Sequence, residues 1–212
     1  MNTRSYRRIV CAVSAACLPG IASATALTNP GFESGLSGWI TFGNVYAEAA
    51  NPPQFVPNSG NGLVSMFGNF NGGFNVSGMF QQFVAAPGES WTMDVYSRHF
   101  SGDAMIGIGA PNTNWAVMKL AFFDAGNNEI GSAERTVLDG TFATDVWHDN
   151  LPINGIAPAG TVRVQSLLLY LQPAFGGGAA HFDDASVVPA PSALGLMGAA
   201  GLMGLRRRRT TT

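Results

Sequence analysis

The chain has 212 residues, 46% of them hydrophobic and only 11% charged, with a formal net charge of −2. Arg4, Arg7, Arg8, Arg206, Arg207, Arg208 and Arg209 are seven of the 11 basic residues, whereas all 13 acidic residues lie between these clusters, accompanied only by Arg98, Lys119, Arg135 and Arg163. The middle part therefore carries a formal charge of −9, which repels phosphate backbones and excludes nucleic acid as a partner.

Arg4, Arg7 and Arg8 precede an apolar run, Ile9 to Ile21, too short for a typical membrane span. Ala22-Ser23-Ala24 and Ala24-Thr25-Ala26 offer small-residue cleavage sites. Residues 1–26 thus read as a signal peptide for export. Left uncleaved, the same segment is an N-terminal anchor. Both cysteines, Cys11 and Cys17, fall inside it. Cys17 follows Ser14-Ala15-Ala16 and lacks the aliphatic residue of a lipoprotein signal. The rest of the chain can form no disulfide and run no thiol chemistry. Residues 27–188 are of common single-domain size.

Within that span, short apolar or alternating runs are separated by Gly, Asn and Pro, a pattern of strands rather than helices. Strands are expected at Gly62–Gly68, Gly78–Ala85, Trp91–His99, Trp115–Phe123, Thr144–Leu151, Thr161–Leu171 and Ala180–Val188. Asp124 to Asn128 closes a hairpin whose return starts at Glu129-Ile130. Trp91 to Arg98 alternates, with Tyr96 and Arg98 on its polar side. Roughly eight to ten strands with frequent turns point to an all-β sandwich or jelly roll. The Gly-, Asn- and Phe-rich stretch from Phe67 to Phe80 is either a loop beside a binding face or a plain hairpin.

Val188-Pro189-Ala190-Pro191 is expected to break regular structure. Ser192 to Leu205 is then a run of 14 apolar or small residues, followed at once by Arg206, Arg207, Arg208 and Arg209. As a helix it is about 21 Å long, against about 30 Å of hydrocarbon; snorkelling arginines and local thinning cover part of the gap. The basic cluster stays cytoplasmic and leaves the domain outside. A proline motif, an apolar helix and a terminal arginine cluster together resemble the PEP-CTERM sorting signal, here residues 189–212. Pro189, Ala190 and Pro191 stand at the motif, with Ala190 in place of the usual Glu, and Arg206, Arg207, Arg208 and Arg209 form the cluster. The resemblance implies an exosortase-type processing enzyme as partner, transient anchoring in the inner membrane, and delivery to the cell envelope, cell surface or extracellular matrix, often alongside exopolysaccharide. An ordinary tail anchor gives the same topology.

A second resemblance spans most of the middle part. Asn29-Pro30-Gly31-Phe32-Glu33 with Gly38-Trp39, Gln81-Gln82-Phe83 leading to Trp91, and Phe182-Asp183-Asp184-Ala185-Ser186-Val187 are similar to three blocks of galactose-binding-like jelly rolls. Many carbohydrate-binding modules belong to that group, and the likeness implies a jelly-roll β-sandwich. It also implies a structural Ca²⁺ where the first and last strands meet, held by Glu33 and Asp183. Alternation puts Asp183 on the core side with Ala185 and Val187, and Asp184 outward with Phe182 and Ser186. A buried carboxylate needs a cation or donors, so backbone N–H groups are the alternative to calcium. Sugar binding needs rings to stack on and polar partners beside them. Tyr96, Arg98, Tyr170 and Gln172 are the candidate ligand residues.

His99, His148 and His181 match no metal motif, and neither a nucleophile elbow nor a phosphate loop is present. The sequence thus favours a non-catalytic module for extracellular polysaccharide. A structural matrix protein is the alternative and an enzyme the third reading. Exposed aromatic residues would mark the first, and a smooth acidic face the second.

Overall fold

A computed structural model describes residues 26–106 and 113–190. The signal segment before Ala26, Pro191, the apolar run Ser192–Leu205 and the cluster of Arg206, Arg207, Arg208 and Arg209 lie outside the described residues.

The described chain is all-β: β1 (Ile40–Phe42), β2 (Asn44–Ala49), β3 (Gly62–Phe67), β4 (Asn75–Val84), β5 (Ser90–Arg98), β6 (Trp115–Phe123), β7 (Glu129–Asp139), β8 (His148–Asp149), β9 (Ile153–Ile156), β10 (Arg163–Gln172) and β11 (Ala180–Ala190). One antiparallel sheet has the order β1-β4-β10-β6-β7; the other runs β2-β3-β11-β5-β8, with β9 also paired to β5. Two packed antiparallel sheets make a β-sandwich, as the turn-rich pattern predicted. The inner faces interdigitate through Val64, Met66, Met79, Met93, Met118, Leu120, Leu168 and Phe182, all fully buried.

Gly43 makes the corner between the sheets. It has φ +71°, and a Cβ there would sit 2.5 Å from the Ser77 hydroxyl. The close approach lets Ser77 Oγ accept from Asn44 N (2.9 Å) while donating to Phe67 O (2.6 Å). The five-stranded sheet is apolar on its outer face too. There Phe42 and Leu169 close over Gly78, whose Cβ would lie 2.7 Å from each.

Facing departs from expectation at two places. β10 alternates regularly, but Val164, Ser166, Leu168, Tyr170 and Gln172 are its inward set, so the ligand candidates Tyr170 and Gln172 are core residues. In β11 the register slips between Asp183 and Ser186. A bulge there holds Asp184 at φ +46°, with Ala185 N donating to Pro30 O at 3.0 Å. One extra residue restores Ala185 and Val187 to the core but leaves Asp183 paired with Tyr96 and Ser186 with Asp94. Asp183 therefore faces the outer side of its sheet, and Phe182 is the core residue, the reverse of the simple alternation. The ladder also runs through Pro189 and Ala190, which pair with Trp91 and Ser90. The expected break is absent up to Ala190, because β3 accompanies β11 only at Ala180–Phe182, and an edge-like stretch tolerates proline.

Candidate functional site

The end of the sandwich where β3, β10 and β6 meet their loops carries a cluster of aromatic rings. Tyr46 stacks on Phe67 with centroids 5.4 Å apart, and Phe67 meets Phe70 at 6.5 Å. Phe70, Phe74 and Phe175 are 45%, 63% and 60% exposed. The Phe175 ring lies over Gly72, where a Cβ would approach it to 2.7 Å. Exposed phenylalanines cost solvation free energy unless something covers them, and several grouped at one end make that end the candidate site.

The loops that display these rings are held from beneath. Gln172 is fully buried. Its Oε1 accepts from Phe70 N (2.9 Å) and Asn75 Nδ2 (3.0 Å), while its Nε2 donates to Gly176 O (2.6 Å). The Tyr170 hydroxyl donates to Gly178 O at 2.6 Å, and Asn114 Nδ2 donates to Gly177 O. Asn69 N donates to Asn75 Oδ1 at 2.9 Å. Buried, fully partnered amides of this kind fix loop geometry. Tyr170 and Gln172, expected to touch ligand, are instead buried and brace the loops that carry the exposed rings. Beside them, Thr113, Trp115, Thr136 and Asp139 line a recess of about 290 Å³. Trp115 opposes Leu171 in the ladder, which places the recess at the aromatic end.

The other two candidates lie elsewhere. Arg98 is 3% exposed and works as an internal clamp. It donates to Gln54 O (2.7 Å), Pro53 O (3.2 Å) and Asp145 Oδ1 (3.3 Å), with His181 Nδ1 at 3.4 Å. It pins the 50–58 loop over the second sheet and is not a ligand contact. Tyr96 is half-buried on that sheet's outer face. Asp149, then burial, then Asp184 and Asp94 push its hydroxyl pKa up. Its surroundings are acidic rather than aromatic.

Glu33 and Asp183 do converge, on the loop from Asn58 to Gly62. Asp183 Oδ2 accepts from Asn58 N (2.7 Å) and Ser59 N (3.2 Å), and Oδ1 from Asp184 N (2.7 Å). Glu33 accepts from Asn61 N and Gly62 N, each at 3.0 Å. Asp184 takes the Asn58 amide (2.8 Å) and the Ser59 hydroxyl (2.8 Å). A hard cation needs six to eight oxygens, but the loop turns N–H donors toward these carboxylates. No cluster of three or more His, Cys, Asp or Glu suited to a metal occurs among the described residues. This donor set does not fit the Ca²⁺ that the family resemblance implied. Melting curves taken with calcium and with chelator are therefore expected to coincide; a rise with calcium would show a cation displacing the N–H donors.

A second recess, of about 240 Å³, is lined by Phe32, Glu33, Ala47, Glu48 and Asn61 among others. Its two carboxylates do not form a free pair, because the 58–62 loop holds Glu33. His99 Nδ1 accepts from Met105 N (3.2 Å), and its Nε2 donates to Phe142 O (3.0 Å).

No family profile and no curated protein matches the sequence. Solved structures match the fold. TmCBM61 in complex with β-1,4-galactotriose superposes with TM-score 0.51 and 18% identity over 79% of this chain and 100% of its own. A Stig cyclase, Fisc from Fischerella sp. TAU, gives TM-score 0.56 and 14% identity over 80% and 98%. Arabinose-bound MgGH51 α-L-arabinofuranosidase gives 0.53 and 15% over 79% of this chain and 26% of that one. The shared feature is the β-sandwich, which here serves a binding module, a cyclase and part of a glycosidase. Fold alone does not choose among them.

Proposed function

We propose that this protein is an exported, non-catalytic module that binds extracellular polysaccharide through its aromatic end, and that residues 189–212 sort it to the cell envelope. The exposed trio Phe70, Phe74 and Phe175 carries the reading. Apolar rings held on braced loops suit the apolar faces of pyranose units, and the recess beside Trp115 adds the exposed Thr136 hydroxyl for sugar hydroxyls. The carbohydrate-bound module among the structural neighbours supports the same reading. Catalysis has less support, since Glu33, Asp183, Asp184, His99 and His181 are each engaged by structural hydrogen-bond partners.

Affinity gel electrophoresis against a panel of neutral and acidic polysaccharides tests the proposal. The parent chain should be retarded by at least one glycan. Phe74→Ala and Phe175→Ala should each weaken that retardation by about tenfold, near 1.4 kcal/mol, with unchanged melting. Retardation that survives removal of both rings would place any glycan site elsewhere.

A further inference from the structure

The two ends of the sandwich differ. Because β4 runs from Asn75 to Val84 and β11 from Ala180 to Ala190, the chain leaves the sandwich at the end opposite the aromatic loops. Two turns meet there. Ala85 N donates to Val162 O (3.2 Å), Gly88 N to Ala157 O (2.8 Å) and Ala157 N to Glu89 O (2.8 Å), making one surface of the two. Val84 is 90% exposed, Ile156 71% and Val162 43%. From Val84 to Gly88 and from Ile156 to Val162 no residue is charged. Glu89 turns its carboxylate back onto Ala86 N at 2.9 Å, and Asp124 of the adjoining hairpin accepts from Asn128 N at 2.8 Å. The nearby base, Arg163, lies over the Phe123 ring at 4.4 Å. Ala190 pairs with Ser90, and Ser90 also pairs with Ile156. From this point the sequence continues into the apolar run Ser192–Leu205 and its four arginines.

We propose that this end of the domain rests on the lipid surface that takes up residues 192–205, with Val84, Ile156 and Val162 in the interface. Tethering holds the exposed aliphatic groups beside the bilayer, where burying each one contributes without a fresh association cost. The domain's charge of −9 is repelled by anionic headgroups, so the uncharged turns are the part of its surface able to approach them. The aromatic end then points outward, about 30 Å away along ten-residue strands. The inference rests on the reading of 189–212 as a membrane-associated signal.

The full chain, with Cys11 and Cys17 replaced by serine, is given one fluorophore at Ile156→Cys or at Phe74→Cys. It is then reconstituted into phosphatidylethanolamine–phosphatidylglycerol vesicles containing nitroxide-labelled lipid. Lipid quenching should be several-fold stronger at position 156 than at position 74, and Val84→Asp should reduce it. Equal quenching at the two positions in chains that float with the vesicles would overturn the inference and leave the anchor standing. Shielding of position 156 that depends on protein concentration and not on lipid would overturn it in favour of a second copy. Failure to float would remove the anchor reading and the inference together, without touching the glycan assay.

Discussion

Phe182→Ala is expected to destabilise the folded domain by about 3–5 kcal/mol, lowering its melting temperature by on the order of 10 °C. The side chain is fully buried between the sheets, in the strand that lies between β3 and β5, so truncation leaves a cavity that rigid ladders on both sides cannot close. Ser186→Ala, on the outward side of the bulge, should change stability by no more than about 0.5 kcal/mol. Thermal unfolding of the two variants separates the bulged strand from a regular one. Under unbroken alternation Phe182 would face out, and its loss would cost on the order of 1 kcal/mol or less.

The second large effect concerns acid. Burial lifts the Asp183 carboxyl to about 6, against the pull of its three N–H donors, so between roughly pH 4 and 6 the folded state keeps a proton that the unfolded chain has lost. Asp183 therefore contributes stability that is present at low pH and is lost as pH rises through 6. His181 works in the opposite sense. Burial, with Arg98 and His99 adding to it, depresses its pKa to about 4, so the folded state holds fewer protons than the unfolded one and its contribution is lost as pH falls. Each amounts to about 3 kcal/mol at one unit per 1.36 kcal/mol, and over this window the two offset. Asp183→Asn should unmask His181: unfolding free energies from denaturant titrations between pH 6.5 and 4.5 should fall more steeply than the parent's, by about 2–3 kcal/mol across the range. Asp184→Asn should leave the slope close to the parent's. Parallel slopes for parent and Asp183→Asn would show that Asp183 is ionised throughout.

Those two residues also show how far the sequence could be read. The strand Trp115–Phe123 was legible to the residue, and Trp91–His99 to within one position, because alternation or a long apolar run ended at clear turn residues. β1 and β2 went unseen: they are short and largely exposed, and Gly43 bends the chain between them. Of Thr144–Leu151 only His148–Asp149 is strand, since the rest is turn held by side chains. Facing was harder than location. Ser166-Leu167-Leu168-Leu169-Tyr170-Leu171 is apolar on both sides, because the sheet's outer face is apolar as well, so nothing in the run reveals which way Tyr170 points. A bulge leaves no signature in composition, and that hid the true orientation of Asp183. For the candidate site, the Phe67–Phe80 stretch held much of the signal, since its Phe70 and Phe74 are each flanked directly by Gly or Asn rather than by an alternating apolar pattern. What could not be read was that Gln172, about a hundred residues later, would brace that loop.

The position of β11 has a mechanical consequence. Past its first residues it is held mainly by β5, through a ladder that continues to Ala190, and it leaves at the end opposite the rings. If the tail is held and the aromatic end is gripped, the load runs parallel to the strands. The hydrogen bonds between antiparallel strands lie across that direction, so tension shears many of them together and does not peel them one at a time. Pulling β11 from its Ala190 end across the sheet would meet one rung after another. The same domain should therefore be stiff along the axis joining its two ends and yield readily across it.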